Sequence, residues 1–232
     1  MLPLKDLNPT RSRPYVTWAL IALNTIVFLF ELGLQSSGQL NAFIVNYGLV
    51  PAAVTANLLS AKVVTIFTSM FLHGSPTHLL GNMLYLWIFG DNIEDRLGHG
   101  RYLAFYLIGG AAAAGAQILI DPSSPWPMVG ASGAIAAVLG GYLLEYPSAR
   151  IRSIIFLGYF IRFVNVPAIL VLGLWFLLQS FSGFLALSAA ASAGGVAYFA
   201  HIGGFLTGVV LIKLFTAGRP KQMYWDGQQY RS

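Results

Sequence analysis

Uninterrupted apolar runs recur along the sequence, and their length constrains the fold more than any other feature. A helix rises 1.5 Å per residue, so about 20 apolar residues are needed to cross the roughly 30 Å hydrocarbon layer of a bilayer. Candidate runs cover residues 16–34, 76–91, 102–120, 132–144, 167–184 and 195–215. Two further apolar stretches, 63–72 and 151–164, are too short to span. A water-soluble globule is excluded, because 56% of the 232 residues are hydrophobic and only 9% are charged. The expected fold class is an all-α membrane protein, a polytopic bundle of six transmembrane helices.

The basic residues orient that bundle, since Lys and Arg collect in cytoplasmic loops. On six spans every Lys and Arg except Lys62 falls on the side of the N-terminus, from Lys5, Arg11 and Arg13 to Arg219, Lys221 and Arg231. Both termini are therefore expected to be cytoplasmic. The expected organisation is an N-terminal segment 1–15, a membrane domain 16–216 and a polar C-terminal tail 217–232. The stretch 151–164, bracketed by Arg150, Arg152 and Arg162, reads as interfacial, and 63–72 falls in a long first external loop. The cations are scattered between runs rather than gathered on one face, which argues against a nucleic-acid partner. No small-residue cleavage site follows the first run, so it is expected to remain as a helix, and a bacterial inner membrane is the expected location. With no cysteine in the chain, disulfides and thiolate chemistry are excluded.

A polar side chain in hydrocarbon is costly, so those that lie within spans are candidates for function. They include His78 and Asn82 in the second span, Ser132 at the start of the fourth and His201 in the sixth. The fourth run is too short to cross, which puts Ser132 at a depth of roughly 10 Å, and His201 falls at roughly 9 Å by helical rise. His78 and Asn82, four residues apart, share one helix face, with Ser75 placed to cap and Pro76 at the first helical position. A serine hydroxyl becomes a nucleophile when a neighbouring base takes its proton, and a neutral imidazole suits that task. His78, Asn82 and the Ser132 backbone N–H are candidate donors to the oxyanion that follows attack. Small residues at four-residue spacing, Ser132, Ala136 and Gly140 on one helix and Gly204 and Gly208 on the other, would let the two approach closely. Gly130 and Gly133 would let the backbone turn tightly around the serine. His73 and His99 are expected to be solvated or interfacial, and Trp18, Trp87 and Trp175 to be interface or packing residues.

These residues resemble the rhomboid family. Gly130-Ala131-Ser132-Gly133 is similar to its nucleophile motif, Ala200-His201-Ile202-Gly203-Gly204 to the motif of its base, and His78-Leu79-Leu80-Gly81-Asn82 to a third signature. The segment 94–101, with Gly98 inside it, resembles the second cytoplasmic loop. The resemblance implies a six-helix core with a Ser-His dyad, no cofactor and no metal. It also implies that the fifth span and the loop 182–194 gate the approach of substrates, namely membrane proteins with destabilised transmembrane helices. Two departures stand out: residues 35–62 contain no Trp-Arg pair, and Ala136 stands where many members place an aromatic.

Other chemistries fit less well. His-Glu-x-x-His is missing, and Ile88 precedes Phe89-Gly90-Asp91 where an aspartyl intramembrane protease would need Gly-x-Gly-Asp. Haem ligation by His78 and His201 would leave the serine and asparagine at the same depth without a use. A transporter would call for coupled intramembrane acids, whereas Glu31 is the one acid inside a run and lies near its end. The principal alternative is a non-catalytic rhomboid-like chaperone or adaptor that binds transmembrane helices through small-residue grooves.

Overall fold

The computed structural model describes every residue except 59, 159, 189–195, 221 and 232. The long helices are α1 (Tyr15–Ser36), α5 (Pro76–Leu97), α6 (His99–Ile120), α7 (Ser132–Glu145), α8 (Ala168–Ser188) and α9 (Tyr198–Thr216). Between α1 and α5 lie the short helices α2 (Leu40–Tyr47), α3 (Pro51–Ala56) and α4 (Thr65–Thr68), with 3-10 turns on either side of α4. The apolar stretch 63–72 falls in this region.

Among the described residues, four helices, α1, α6, α8 and α9, are both long and apolar enough to cross a membrane. The other two expected spans differ for stated reasons. α5 has 22 residues but carries Asp91, Glu94, Asp95 and Arg96 in its last two turns. α7 has 14 residues, a rise of about 21 Å, short of the hydrocarbon thickness.

The chain is mostly rather than wholly helical. Strands β1 (Leu2–Asp6), β2 (Arg150–Leu157) and β3 (Phe160–Pro167) form an antiparallel sheet in that order. The stretch expected to be interfacial is thus a hairpin, favoured by its β-branched and aromatic residues and turned at Gly158, where φ is +62°. The tail is not simply a polar extension. Strands β4 (Tyr224–Trp225) and β5 (Tyr230–Arg231) pair, Arg150 donates from Nε to the Asp226 carbonyl at 2.6 Å, and the Trp225 N–H donates to Asn8 Oδ1 at 3.2 Å. N-terminal segment, hairpin and tail therefore form one basic end of the bundle.

Buried polar contacts fix this end. α1 starts after Pro14 with no side-chain cap of its own, so its first N–H groups need an outside acceptor. Glu94 of α5 supplies it, accepting from the N–H groups of Val16 and Thr17 at 2.8 and 2.7 Å. Asp6 of β1, only 8% exposed, accepts from the Asn8 N–H (2.8 Å), Asn92 Nδ2 (2.6 Å) and the Tyr142 hydroxyl (2.7 Å). Burial raises its carboxyl from 3.8 to about 7 despite those donors. An ion pair between Arg96 and Glu145 joins α5 to α7. Gly98, at φ +78°, turns the chain from α5 into α6.

In the centre, α7 and α9 meet backbone to backbone. A Cβ on Gly204 would stand 2.2 Å from the Gly133 carbonyl oxygen, and one on Gly208 would stand 2.0 Å from that of Ala137. Gly140 faces the Phe205 carbonyl at 2.1 Å in the same sense. Gly204, Gly208 and Gly140 thus serve as the sequence suggests, while Gly133 and Ala137, each one position beyond Ser132 and Ala136, complete the seam.

Candidate active site

Ser132 is the first residue of α7 and His201 lies in the first turn of α9. The glycine seam sets the distance between them. Ser132 Oγ is 2.7 Å from His201 Nε2, in hydrogen-bonding contact across 69 residues of sequence. The other ring nitrogen, Nδ1, is 2.7 Å from Gln179 Oε1 on α8. An amide oxygen only accepts, so Nδ1 carries the proton and Nε2 is left free to accept from the serine hydroxyl. The Trp175 ring, one helical turn before Gln179, lies against the imidazole with centroids 6.0 Å apart and planes at 35°. Trp175 and Gln179 thus hold the ring from α8, whereas the family position for an aromatic, here Ala136, lies on α7. Gln179 was missed in the sequence, although a lone amide in an apolar run was a usable signal.

The N-terminal N–H groups of a helix have no intrahelical acceptor, so those of Ser132 and Gly133 are available beside the hydroxyl. Gly130 enters the turn at φ +125°, and a Cβ there would meet the His78 ring at 2.7 Å and Asn82 Nδ2 at 3.6 Å. His78 and Asn82 of α5 therefore stand against the serine loop. Ser75 caps α5, accepting from the His78 N–H at 3.1 Å, with Pro76 at the first position as the sequence implies.

His73 corrects the expectation of a solvated loop residue. It is 2% exposed, its Nε2 lies 3.0 Å from Asn82 Nδ2, and its ring meets that of His78 edge on at 5.1 Å. Glu31 of α1, 1% exposed, anchors this loop by accepting from the His73 N–H at 3.1 and 3.3 Å. Loop order that a Trp-Arg pair does not supply here comes from this buried carboxyl. His99, by contrast, is half exposed at the basic end and contacts Glu94 through Nδ1 at 2.6 Å.

A cavity of about 40 Å3 opens beside Ser132, lined by Met70, Gly110, Ala113, Met128, Gly133 and Ala200 among others. It has room for about three water-sized spheres. No cluster of metal-ligating side chains occurs among the described residues. The expected gate loop 182–194 is helical as far as Ser188, and its remainder lies outside the described residues.

Comparisons with known proteins agree in one direction. A family model described as the rhomboid domain matches residues 60–218. Rhomboid protease GluP of Bacillus subtilis is 30% identical over 165 residues, which cover 71% of this chain and 30% of that protein. The mitochondrial Rhomboid protein 1 of Saccharomyces cerevisiae is 29% identical over 201 residues, 84% of this chain and 51% of the relative. RHOMBOID-like protein 4 of Arabidopsis thaliana is 37% identical over 141 residues, 61% and 31% of the two chains. The chain spans about a third to a half of the length of these relatives. With most of its length matched by the family model and its apolar helices those of a membrane protein, the chain belongs to the rhomboid family.

Proposed function

We propose that this chain is an intramembrane serine endopeptidase that hydrolyses peptide bonds in or near the transmembrane segments of membrane proteins. The observation that carries the reading is the relay Ser132–His201–Gln179, two contacts of 2.7 Å each. Ser132 Oγ attacks the scissile carbonyl while His201 Nε2 takes its proton, and the imidazolium then protonates the leaving amine. Gln179 holds the tautomer in which Nε2 is the acceptor. The Ser132 N–H, His78 and Asn82 serve the oxyanion, where one donor lowers the barrier by about 3 to 4 kcal/mol. The acyl-enzyme is hydrolysed by water activated through the same imidazole, and no cofactor or metal is called for.

In this reading α1, α5, α6, α7, α8 and α9 make six spans, the domain covers 16–216, and the basic end with both termini faces the cytoplasm of a bacterial inner membrane. The fifth span, α8, is the gate, and substrates are helices destabilised enough to unwind at the serine.

The test is cleavage of a helix-destabilised transmembrane reporter by the purified full chain, wild type against Ser132→Ala and His201→Ala. Cleavage by wild type alone supports the dyad. Equal cleavage by Ser132→Ala removes it. Binding of unstable helices without cleavage, together with no labelling of Ser132 by a serine-directed phosphonate, replaces the protease with a helix-binding chaperone.

A further inference from the structure

The three-stranded sheet at the basic end carries a surface that catalysis does not use. Directly paired residues of antiparallel strands share a face. The register sets Leu2, Ile154 and Phe163 in one row, Phe156 and Ile161 in the row nearer the turn, and Lys5, Arg152 and Asn165 in the row behind. The opposite face turns Ile151 and Ser153 into the core, both 0% exposed. On the first face Phe156 is 60%, Ile161 58% and Phe163 66% exposed. So large an apolar patch calls for a partner.

We propose that this face seats on an anionic phospholipid leaflet, with the two apolar rows in the acyl boundary and Lys5 and Arg152 on the lipid phosphates. Its level in the bundle supports that occupant. β3 ends at Pro167 and α8 begins at Ala168 with no residue between them, and the 21 residues of α8 rise about 32 Å, one hydrocarbon thickness. The hairpin therefore leaves the bundle at the membrane interface. Lys5 borders a cavity whose wall includes Asp91 and the half-exposed indoles of Trp18 and Trp87, a residue type that concentrates at the headgroup level. Ile169 and Leu170, in the first turn of α8, are also exposed and apolar. Charge supplies the sign. Lys5 stands directly opposite Arg152, a like-charge pairing that disfavours the sheet, and neither takes part in an ion pair among the described residues. Anionic phosphates between them relieve the repulsion.

The absence of cysteine makes the test direct. Phe156→Cys, Phe163→Cys and Asn165→Cys, each in the full chain, carry a nitroxide in vesicles of phosphatidylcholine and phosphatidylglycerol. Accessibility to oxygen is compared with accessibility to a water-soluble nickel chelate. Labels at 156 and 163 are expected to favour oxygen several-fold more than the label at 165. Loss of phosphatidylglycerol, or Lys5→Gln with Arg152→Gln, is expected to lower that preference several-fold. Nickel access at 156 and 163 equal to that at 165 overturns the proposal, as does spin–spin broadening that reveals a second copy on this face. A preference unaffected by anionic lipid and by the charge variants overturns the role given to Lys5 and Arg152. None of these outcomes bears on peptide hydrolysis, whose residues lie elsewhere.

Discussion

α9 meets α7 and α8 in different ways. Against α7 the contact is backbone on backbone, with Gly204 and Gly208 pressed to carbonyl oxygens and no side chain between. Against α8 it is aromatic, with Phe176 stacked on Phe205 at 4.7 Å and Trp175 beside His201. α8 meanwhile turns Leu174, Leu177, Leu178 and Phe181 outward. The serine–histidine distance thus rides on a seam that cannot slide without clashing, whereas the orientation of the imidazole rides on a helix held by replaceable side chains. In the proposed enzyme, a rigidly held Ser–His pair and an adjustable orienting residue would give one site two separable controls.

The largest effect should come from breaking the seam. Gly208→Leu places a branched side chain where 2.0 Å is available to the first atom, and overpacking of this kind should cost on the order of 3 kcal/mol or more. Thermal unfolding in detergent should show a large fall in Tm together with loss of cleavage; an unchanged Tm would mean that the helices part freely. Next in size, Gln179→Ala should lower kcat by about 10- to 100-fold through loss of one orienting hydrogen bond, with KM and Tm nearly unchanged. Gln179→Glu keeps an acceptor facing Nδ1 and should restore part of the rate while altering the pH profile. Equal kcat in all three proteins would show that α8 does not orient the base.

Smaller still, Phe176→Ala removes a stacked pair worth about 0.5–1.5 kcal/mol. Looser attachment of α8 should raise kcat/KM a few-fold for a transmembrane reporter and leave a short soluble peptide unaffected. A fall for both substrates would mean that α8 must stay closed for chemistry. The smallest effect concerns β1, far from the seam. Because folding raises the Asp6 carboxyl from 3.8 to about 7, the folded state holds the extra proton between those values. The stability of β1 docking is therefore greatest below about 4 and is lost as pH rises through about 7. Hydrogen exchange of residues 2–6 should accelerate from pH 5 to pH 8 beyond its intrinsic dependence, and Asp6→Asn should remove the excess. A wild-type excess of zero would mean that Asp6 does not couple docking to pH.

Much of this was readable from residues that hydrocarbon does not tolerate. Ser132, His201, His78 and Asn82 stand out as polar groups in apolar runs, and the glycine spacing announces close packing. What escaped did so for physical reasons. His73 lies in a loop, and its burial depends on Glu31, 42 residues away, a pairing that no local pattern records. Gln179 is a single amide in a long span, and only the three-dimensional position of His201 gives it a partner. The hairpin at 150–167 lacks regular alternation because one face of it is core near the helices while the other is apolar toward the turn, so its strands read as a featureless hydrophobic stretch.

The placement of the base has a consequence for how such a protein is made. The site gathers Glu31, residues 73–82, the loop 130–133, Gln179 and His201. A chain synthesised as far as α8 already carries Ser132, His73 and His78 but lacks His201, the imidazole that contacts the serine hydroxyl. Under the proposed function, proteolytic competence would arrive only with α9, after the earlier helices have been inserted, so a nascent copy would be unable to cut its neighbours or itself while it is still being threaded into the bilayer.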